Sequence, residues 1–299
     1  MKINKHLLQF LAALWILAFH LWISVTGTVG EAFLVRIGYV GVDLFFFVSA
    51  FSLADKELRY GEFLKNRFSL IYLKFLIFTA AAALYKSWGL TKFLKTAFFI
   101  SFFERGGGSF LWFAPAILLF YVLYPLFLKW NWKYKVPAVL ALWLLLSILL
   151  EGVFGYTKVF IFTNRIPVIL AGYVLKRHSI KKQLYLPSLA LGLVLLYFYG
   201  FTIKCNIPVR DSFYVLAIPV VVGLAGISGY VKQCGFVTMT AGATFEMYAV
   251  QMIWGAELVR LFYRTTGSPL AANLLVFLSV VGCSVVLSKV FSQVRKLLI

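Results

Sequence analysis

The stretch LVRIGYVGVDLFFFVSAFSLA at residues 34–54 is almost continuously apolar, and Arg36 and Asp43 are the charged residues within it. A helix of about 20 such residues is long enough to cross roughly 30 Å of hydrocarbon. Strands of a membrane barrel are shorter and alternate apolar with polar residues, which this stretch does not do. It therefore predicts a membrane-spanning helix.

Comparable apolar stretches recur along the whole chain at the spacing of a helix plus a loop. With 62% hydrophobic and 13% charged residues, the chain has too few polar groups to cover a water-facing surface. We therefore expect an all-α, polytopic membrane protein of about ten transmembrane helices. No Gly-, Ser- or Pro-rich linker divides the chain, which predicts a single domain over residues 1–299. The predicted spans are residues 7–25, 34–54, 69–88, 109–128, 136–152, 159–175, 184–202, 213–230, 242–262 and 270–290.

The net charge of +19 follows the predicted topology. If the N-terminus is cytoplasmic, the segments on that side of the membrane hold 17 of the 29 Lys and Arg residues. Positive charge concentrates on the cytoplasmic side of membrane proteins, where it is attracted to anionic lipid. We therefore expect both termini in the cytoplasm, the lipid bilayer as a partner, and no nucleic acid partner.

One segment between the third and fourth predicted spans has an unusual pattern. Residues 93–103 are apolar but too short to cross the membrane, and Glu104, Arg105 and three glycines at 106–108 follow. This pattern predicts an interfacial or re-entrant segment. A short helix lying on the membrane surface is the simpler alternative.

Ionisable residues within hydrocarbon are costly and often mark a site or a pathway. His20 lies about 20 Å along the first predicted helix, and Asp43 lies in the second. Imidazole transfers protons near neutral pH, and a carboxylate can hold its second ring nitrogen. The two residues are therefore candidates for proton transfer. The alternatives are a histidine hydrogen-bonded between helices and a buried ion pair of Asp43 with Arg36 or another cation.

Other polar residues fall inside later predicted spans. Arg165 precedes Pro167 in the sixth span, where it either binds an anionic substrate group or snorkels to the outer interface. Glu246 and Glu257 lie three helical turns apart in the ninth span and so point along one face, with Gln251 between them. These carboxylates either act at a site or cap and pair locally.

The residues alone predict neither a metal site nor a particular reaction. No Walker-type phosphate loop, HExxH or GxSxG motif is present in the sequence. The three cysteines form no CxxC pair, so neither a zinc site nor a disulfide framework is indicated. We expect no metal ion and no permanently bound cofactor.

Several short motifs, taken together and in order, resemble the acyltransferase-3 family of integral membrane acyltransferases. The most specific is GYVGVDLFFFVSAF at 38–51, which is close to the family's GVxxFFxxSGF pattern and follows a helix that ends in Phe19-His20. The remaining matches extend the resemblance over about residues 5 to 255. They are LQFLAA at 8–13, FLKNR at 63–67, LWF at 111–113, YP at 124–125, RIP at 165–167 and TFEMY at 244–248.

The resemblance implies both a reaction and roles for particular residues. Family members have about ten helices and move an acyl group, usually acetyl from acetyl-CoA, onto sugars of surface or exported glycans. It implies His20 as the catalytic base, and we expect Asp43 to hold its imidazole. Arg67 and Lys65 are expected to bind phosphates of the acyl-CoA donor, and Arg165 to line the opposite side. A carbohydrate acceptor and a location in the plasma membrane are expected with this reaction.

The sequence departs from the family pattern at two glutamines. Gln9 stands where the family usually has Arg, and Gln251 stands where many members have His. Both amides still donate and accept hydrogen bonds, but neither holds a positive charge. With Glu246, they are predicted to contact substrate. Two alternatives to an enzyme stay open at this point: a proton-coupled transporter or flippase for a glycan or small metabolite, and an inactive subunit of a glycan export complex.

Overall fold

The computed structural model describes residues 1–21, 23–178, 180–198 and 210–298, and every regular element within these ranges is a helix. The described chain divides into two compact units, Met1–Val48 with His178–Ile299 (unit 1) and Ser49–Arg177 (unit 2). The expected single domain stays a prediction. The helices are α1 Lys5–Leu21, α2 Val29–Arg36, α3 Val40–Leu53, α4 Tyr60–Tyr85, α5 Leu90–Ala97, α6 Ile100–Arg105, α7 Phe113–Lys129, α8 Lys135–Gly152, α9 Phe160–Thr163, α10 Ile166–Arg177, α11 Tyr185–Tyr197, α12 Arg210–Ser228, α13 Gly235–Ala241, α14 Thr244–Thr266 and α15 Pro269–Leu298.

Each predicted span is mostly helical within the described residues, which confirms the all-α fold; residue 22 of the 7–25 span and the end of the 184–202 span lie outside those residues. By length and composition, four stretches within the described ranges can cross a membrane: Val29–Leu53, Tyr60–Tyr85, Lys135–Gly152 and Pro269–Val294. A fifth is the bent pair Ile100–Gly108 and Phe113–Lys129. Shorter apolar helices occupy several of the other positions, so the count of ten spans stays a prediction.

In unit 1, α1 begins at a capped end and crosses α3 at very short distance. Asn4 precedes the helix, and its side-chain oxygen accepts a hydrogen bond from the backbone N–H of Leu7 at 3.1 Å, as an N-cap does. A Cβ atom added at Gly41 would lie 2.5 Å from the carbonyl oxygen of Ala12. One added at Gly38, in the 3₁₀ turn before α3, would collide with Phe19. The two glycines therefore set the register between the helices.

In unit 2, α4 and α7 pack together, and polar side chains close the ends of the helices. The Tyr60 hydroxyl donates to the carbonyl of Val122 at 3.2 Å, and the Tyr124 hydroxyl donates to that of Ala50 at 2.9 Å. The Lys135 ammonium donates to the carbonyl of Phe127 at 3.1 Å, near the C-terminal end of α7. A cation there satisfies a carbonyl that has no partner within the helix.

The unusual segment after α4 forms two short helices rather than a span. The chain breaks between α5 and α6 at Phe99, whose φ of 63° lies in the left-handed region. The stretch Ile100–Gly108 then meets α7 at a bend of 117°, which is the geometry of a broken span or a re-entrant loop. Both of these geometries keep the apolar residues 93–103 from forming a separate crossing.

Candidate functional site

His20 lies in the last turn of α1, at the end where the chain leaves the helix. Its side chain is exposed, and its ring meets that of Phe19 edge to face with centroids 5.0 Å apart. The sequence predicted His20 well inside a longer helix, but α1 ends at Leu21. The imidazole therefore stands at a helix end, where a substrate can reach it.

The loop after His20 is held by side chains from two other helices of unit 1. Asn273 of α15 accepts a hydrogen bond from the N–H of Ile23 at 3.0 Å and donates one to its carbonyl at 2.7 Å. The Glu31 carboxylate of α2 accepts from the N–H groups of Val25 and Thr26 at 2.6 Å each, and from that of Gly27 at 3.0 Å. The backbone that follows the imidazole is thus fixed at four N–H groups and one carbonyl.

Sequence reasoning missed both of these supporting residues. Glu31 carried a readable signal, because Thr28-x-x-Glu31 has the capping-box pattern that marks a helix start. The structure places Thr28 at that position, with its hydroxyl accepting from the Glu31 N–H at 3.2 Å. Asn273 carried no signal, since a single amide in an apolar helix has no pattern of its own.

Asp43 is fully buried on α3, and the packing of α1 on α3 places it at a different level along α1 from His20. Gly38 contacts the end of α1 at Phe19, so His20 is level with Gly38. Asp43 is five residues further along the chain, in the direction of Ala12. At rises of about 2.0 Å in the 3₁₀ turn and 1.5 Å in the helix, the two residues are separated by roughly 10 Å along the axis. This register does not support the expected direct hydrogen bond between Asp43 and His20.

The other predicted residues of unit 1 lie on α1 and α14, which pack against each other. Glu246 and Gln251 are buried on α14, and Gln9 is half-buried on α1. Glu257, predicted on the same face as Glu246, is exposed, because the buried part of α14 ends at Gly255. A buried carboxylate and a buried amide are the groups that need hydrogen-bonding partners most.

In unit 2, Arg67 and Lys65 lie within a helix rather than in the loop 55–68, where the sequence placed them. Helix α4 begins at Tyr60, because good helix formers such as Leu64 precede the apolar run. The Arg67 guanidinium lies over the rings of Phe63 and Tyr121, at 5.4 Å and 5.1 Å from their centroids. Lys65 is exposed. Arg67 is thus held in place by cation–π contacts, whereas the side chain of Lys65 points away from the protein.

Further cations lie at the same end of α4. The Lys129 ammonium, at the end of α7, is 5.8 Å from the centre of the Tyr60 ring. Lys176 and Arg177, at the end of α10, approach the Asp55 carboxylate at 3.4 Å and 4.0 Å. This end of unit 2 is therefore basic, with part of its charge already neutralised.

Arg165 lies between α9 and α10 in unit 2, and its side chain is fully buried. Burial excludes the snorkelling alternative, in which the guanidinium would reach the interface. The chain turns at Asn164 and Arg165, because Pro167 is tolerated only in the first turn of a new helix. A guanidinium buried this completely has to be compensated by hydrogen bonds or opposite charge.

An apolar groove of about 450 Å³ runs along α1 in unit 1, between α12 and α15. Its walls include Trp15, Ala18 and Leu274, and it extends to Val25 and Asn273 beside the loop that follows His20. Among the described residues, no group of three His, Cys, Asp or Glu side chains is arranged to hold a metal ion. The chemistry available near His20 is thus a base, a fixed loop and an apolar groove.

Comparison with known proteins points to one class of enzyme. A family model described as an acyltransferase domain, that of the acyltransferase-3 family, matches residues 6–289. No curated protein matches the chain, and neither does any solved structure. The match covers His20 and all the other predicted site residues.

Proposed function

The chain belongs to the acyltransferase-3 family, and from this premise we propose that it transfers an acyl group, in particular acetyl, from acyl-CoA to a sugar hydroxyl. The chain is thus a membrane protein and an enzyme that transfers acyl groups. The proposed acceptor is a cell-surface polysaccharide or its precursor. The observation that carries the proposal is the match over residues 6–289, with His20 exposed at a helix end inside it.

In the proposed reaction, His20 acts as the general base. Its imidazole takes the proton from the sugar hydroxyl as the hydroxyl oxygen attacks the carbonyl carbon of the thioester. The new C–O bond forms, the C–S bond breaks, and the proton passes from the imidazolium to the departing CoA thiolate. A general base of this kind contributes about 10²–10⁴-fold in rate.

Asn273 and Glu31 support this role, because they fix the backbone at Ile23 and at residues 25–27, a few positions after His20. Positioning of a base relative to the hydroxyl affects the rate strongly, because a misplacement of about 1 Å can cost about 10²-fold. Asp43, expected to orient the imidazole, is proposed to act without direct contact to it. Glu246, Gln251, Gln9 and Arg165 are proposed to contact substrate.

The donor is proposed to bind through its phosphates at basic residues on the cytoplasmic face. Arg67 supports this, since its guanidinium is already oriented by Phe63 and Tyr121 and loses little freedom on binding. Lys65 and Lys129 add positive charge at the same end of unit 2. Local positive charge raises the concentration of an anionic donor there.

The proposal places the chain in the plasma membrane with both termini in the cytoplasm. A cysteine introduced for Lys181 in a cysteine-free background would then resist an impermeant thiol reagent in intact cells. A cysteine introduced for Thr26, in the loop after His20, would be labelled. The reverse pattern would overturn the orientation.

Turnover of acyl-CoA tests the function itself. Purified protein, given acetyl-CoA and a panel of polysaccharide acceptors, should release free CoA only with an accepting glycan, and His20→Ala should abolish the release. A transporter that used the same residues for proton movement would leave the thioester intact. Intact acetyl-CoA with every acceptor would contradict the proposal.

A further inference from the structure

A cavity of about 610 Å³ lies in unit 1, where the start of α1 meets the segment between α12 and α13. Its lining includes Lys2, Lys5 and His6 from the N-terminus and Lys232 from the other segment. Among the described residues that line it there is neither Asp nor Glu. Lys182 lies at its edge, with the ammonium 5.8 Å from the centre of the Tyr230 ring. Several cations thus surround one concavity.

The walls of this cavity are fixed by specific contacts between two distant parts of the chain. The Asn4 backbone N–H donates to the hydroxyl of Ser228 at 3.1 Å, and the Asn4 side-chain amide donates to the carbonyl of Val231 at 3.2 Å. A Cβ atom at Gly229 would collide with the carbonyl of Lys2. Residues 2–6 and 229–233 are therefore held against each other, and their lysines are brought together by the fold.

The orientation rule alone does not account for this arrangement. Positive residues that set topology are needed only near the ends of spans, and they repel one another when they are close. Here lysines separated by more than 200 residues in the sequence converge on one cavity whose described lining includes no carboxylate. The energy of such an arrangement falls when an anion with several oxygens occupies it. Ammonium groups bind phosphate as compact point charges with several donors.

We infer that this N-terminal pocket, lined by Lys2, Lys5, His6 and Lys232, binds a phosphate group. Two sources carry that chemistry: the phosphates of the CoA donor and the headgroup of an anionic phospholipid. The CoA source rests on the proposed function, whereas the phosphate site does not. The pocket lies at the start of α1 and His20 at its end, about 21 Å away at 1.5 Å per residue. A donor that bound here would have to extend its pantetheine arm along this distance.

The nucleotide arm of the test uses full-length protein in detergent without anionic lipid. Adenosine 3′,5′-diphosphate, which carries phosphates of the CoA nucleotide, is titrated calorimetrically. The triple variant Lys2→Gln, Lys5→Gln, Lys232→Gln should lose about tenfold in affinity, since each of the three exposed charges contributes about 0.5 kcal/mol. A matched variant with three exposed lysines changed elsewhere, Lys86→Gln, Lys158→Gln, Lys289→Gln, should stay within about twofold.

The lipid arm measures the melting temperature in nanodiscs of phosphatidylcholine with and without phosphatidylglycerol. If the natural ligand is a headgroup, phosphatidylglycerol should raise the melting temperature of the wild-type protein and of the matched variant but not of the triple variant. Because Lys2 and Lys5 also help to orient α1, Lys232→Gln alone is measured in both arms. In each arm, the effect of Lys232→Gln should be about one third of the effect of the triple variant, when both are expressed as free energies.

Loss in either arm supports the phosphate site and identifies its source. The inference is overturned if the triple variant and Lys232→Gln match the wild-type protein in both arms. It is also overturned if Arg67→Ala abolishes nucleotide binding while the triple variant keeps both nucleotide binding and the response to phosphatidylglycerol. That last result would leave the proposed function standing, because neither arm measures acyl transfer. Conversely, a protein that binds nucleotide through these lysines but transfers no acyl group would contradict the proposed function alone.

Discussion

The two ends of α1 differ in what they offer to a ligand. At its start, three lysines surround a cavity that no carboxylate lines within the described part of the chain, and Asn4 connects the N-terminus to the segment after α12. At its end, His20 is exposed beside a loop whose backbone is fixed by Asn273 and Glu31. One end has charges suited to binding, and the other has a base suited to proton transfer. A single helix thus connects the proposed phosphate-binding end, called the binding end, with the proposed catalytic end, called the reactive end.

This difference also separates the kinetic effects that the two ends should have. Loss of a group that binds substrate and transition state equally raises KM, whereas loss of a group that acts in the transition state lowers kcat. Variants at the end of α1 should therefore change kcat. Variants at basic binding residues should change the KM for the donor.

The largest effect is expected for His20→Ala. Loss of the general base should lower kcat by about 10²–10⁴-fold, with the KM for acyl-CoA almost unchanged. The measurement is steady-state CoA release by purified protein. Unchanged binding of the donor serves as the control for folding. A changed KM for acyl-CoA with an unchanged kcat would indicate that His20 binds the donor and is not the general base.

A smaller effect on kcat is expected for Asn273→Ala, which removes both hydrogen bonds to Ile23. Two neutral hydrogen bonds contribute about 1 kcal/mol each, so a loss of roughly 30-fold is expected. Asn273→Asp keeps an acceptor for the Ile23 N–H and should recover part of the loss. Leu274→Ala changes the next residue, in the same groove, and serves as the control. Equal effects of Asn273→Ala and Leu274→Ala would indicate a packing defect rather than a positioning role.

Arg67→Ala should raise the KM for acyl-CoA by about fivefold, the equivalent of about 1 kcal/mol, while the KM for the acceptor stays constant. Arg67→Lys should give a KM for acyl-CoA between those of the wild-type protein and Arg67→Ala. Its ammonium keeps the charge but lacks the planar group that stacks on Phe63 and Tyr121. Lys86→Ala, at the other end of α4, is the control. Equal changes in both KM values would remove Arg67 from the donor site.

The smallest effect on His20 is expected from Asp43→Asn. Because roughly 10 Å separates the two residues along the helix axis, the pH dependence of kcat should keep its midpoint in this variant. Its melting temperature is expected to fall instead, since Asp43 is fully buried. A displaced midpoint at unchanged stability would restore the direct pairing of Asp43 with His20.

The helices were predictable because continuous apolar runs are a strong one-dimensional pattern. Within the described residues each predicted span is mostly helical, and Asn4 and Thr28 mark helix starts as capping residues do. The breaks were not predictable in the same way. The left-handed conformation of Phe99 depends on the contacts of the folded chain, and so does the complete burial of Arg165 beside the turn that Pro167 marks.

The candidate site was only partly predictable for a related reason. His20 and the family pattern are written in the sequence, but the distance between His20 and Asp43 depends on which residues of α1 meet Gly38 and Gly41. A helix crossing is decided by close packing, and spacing along the chain does not reveal it. Asn273 and the pocket at the N-terminus depend on contacts between residues more than 200 positions apart.

Transfer of a labelled acyl group tests the central claim most directly. Acetyl-CoA with a deuterated acetyl group is supplied to purified protein with a polysaccharide acceptor, and free CoA and labelled acceptor are quantified by mass spectrometry. The account predicts equal molar amounts of the two products, formed at least about 100-fold more slowly by His20→Ala. Labelled acceptor formed by His20→Ala at the wild-type rate, or free CoA without labelled acceptor, would contradict it.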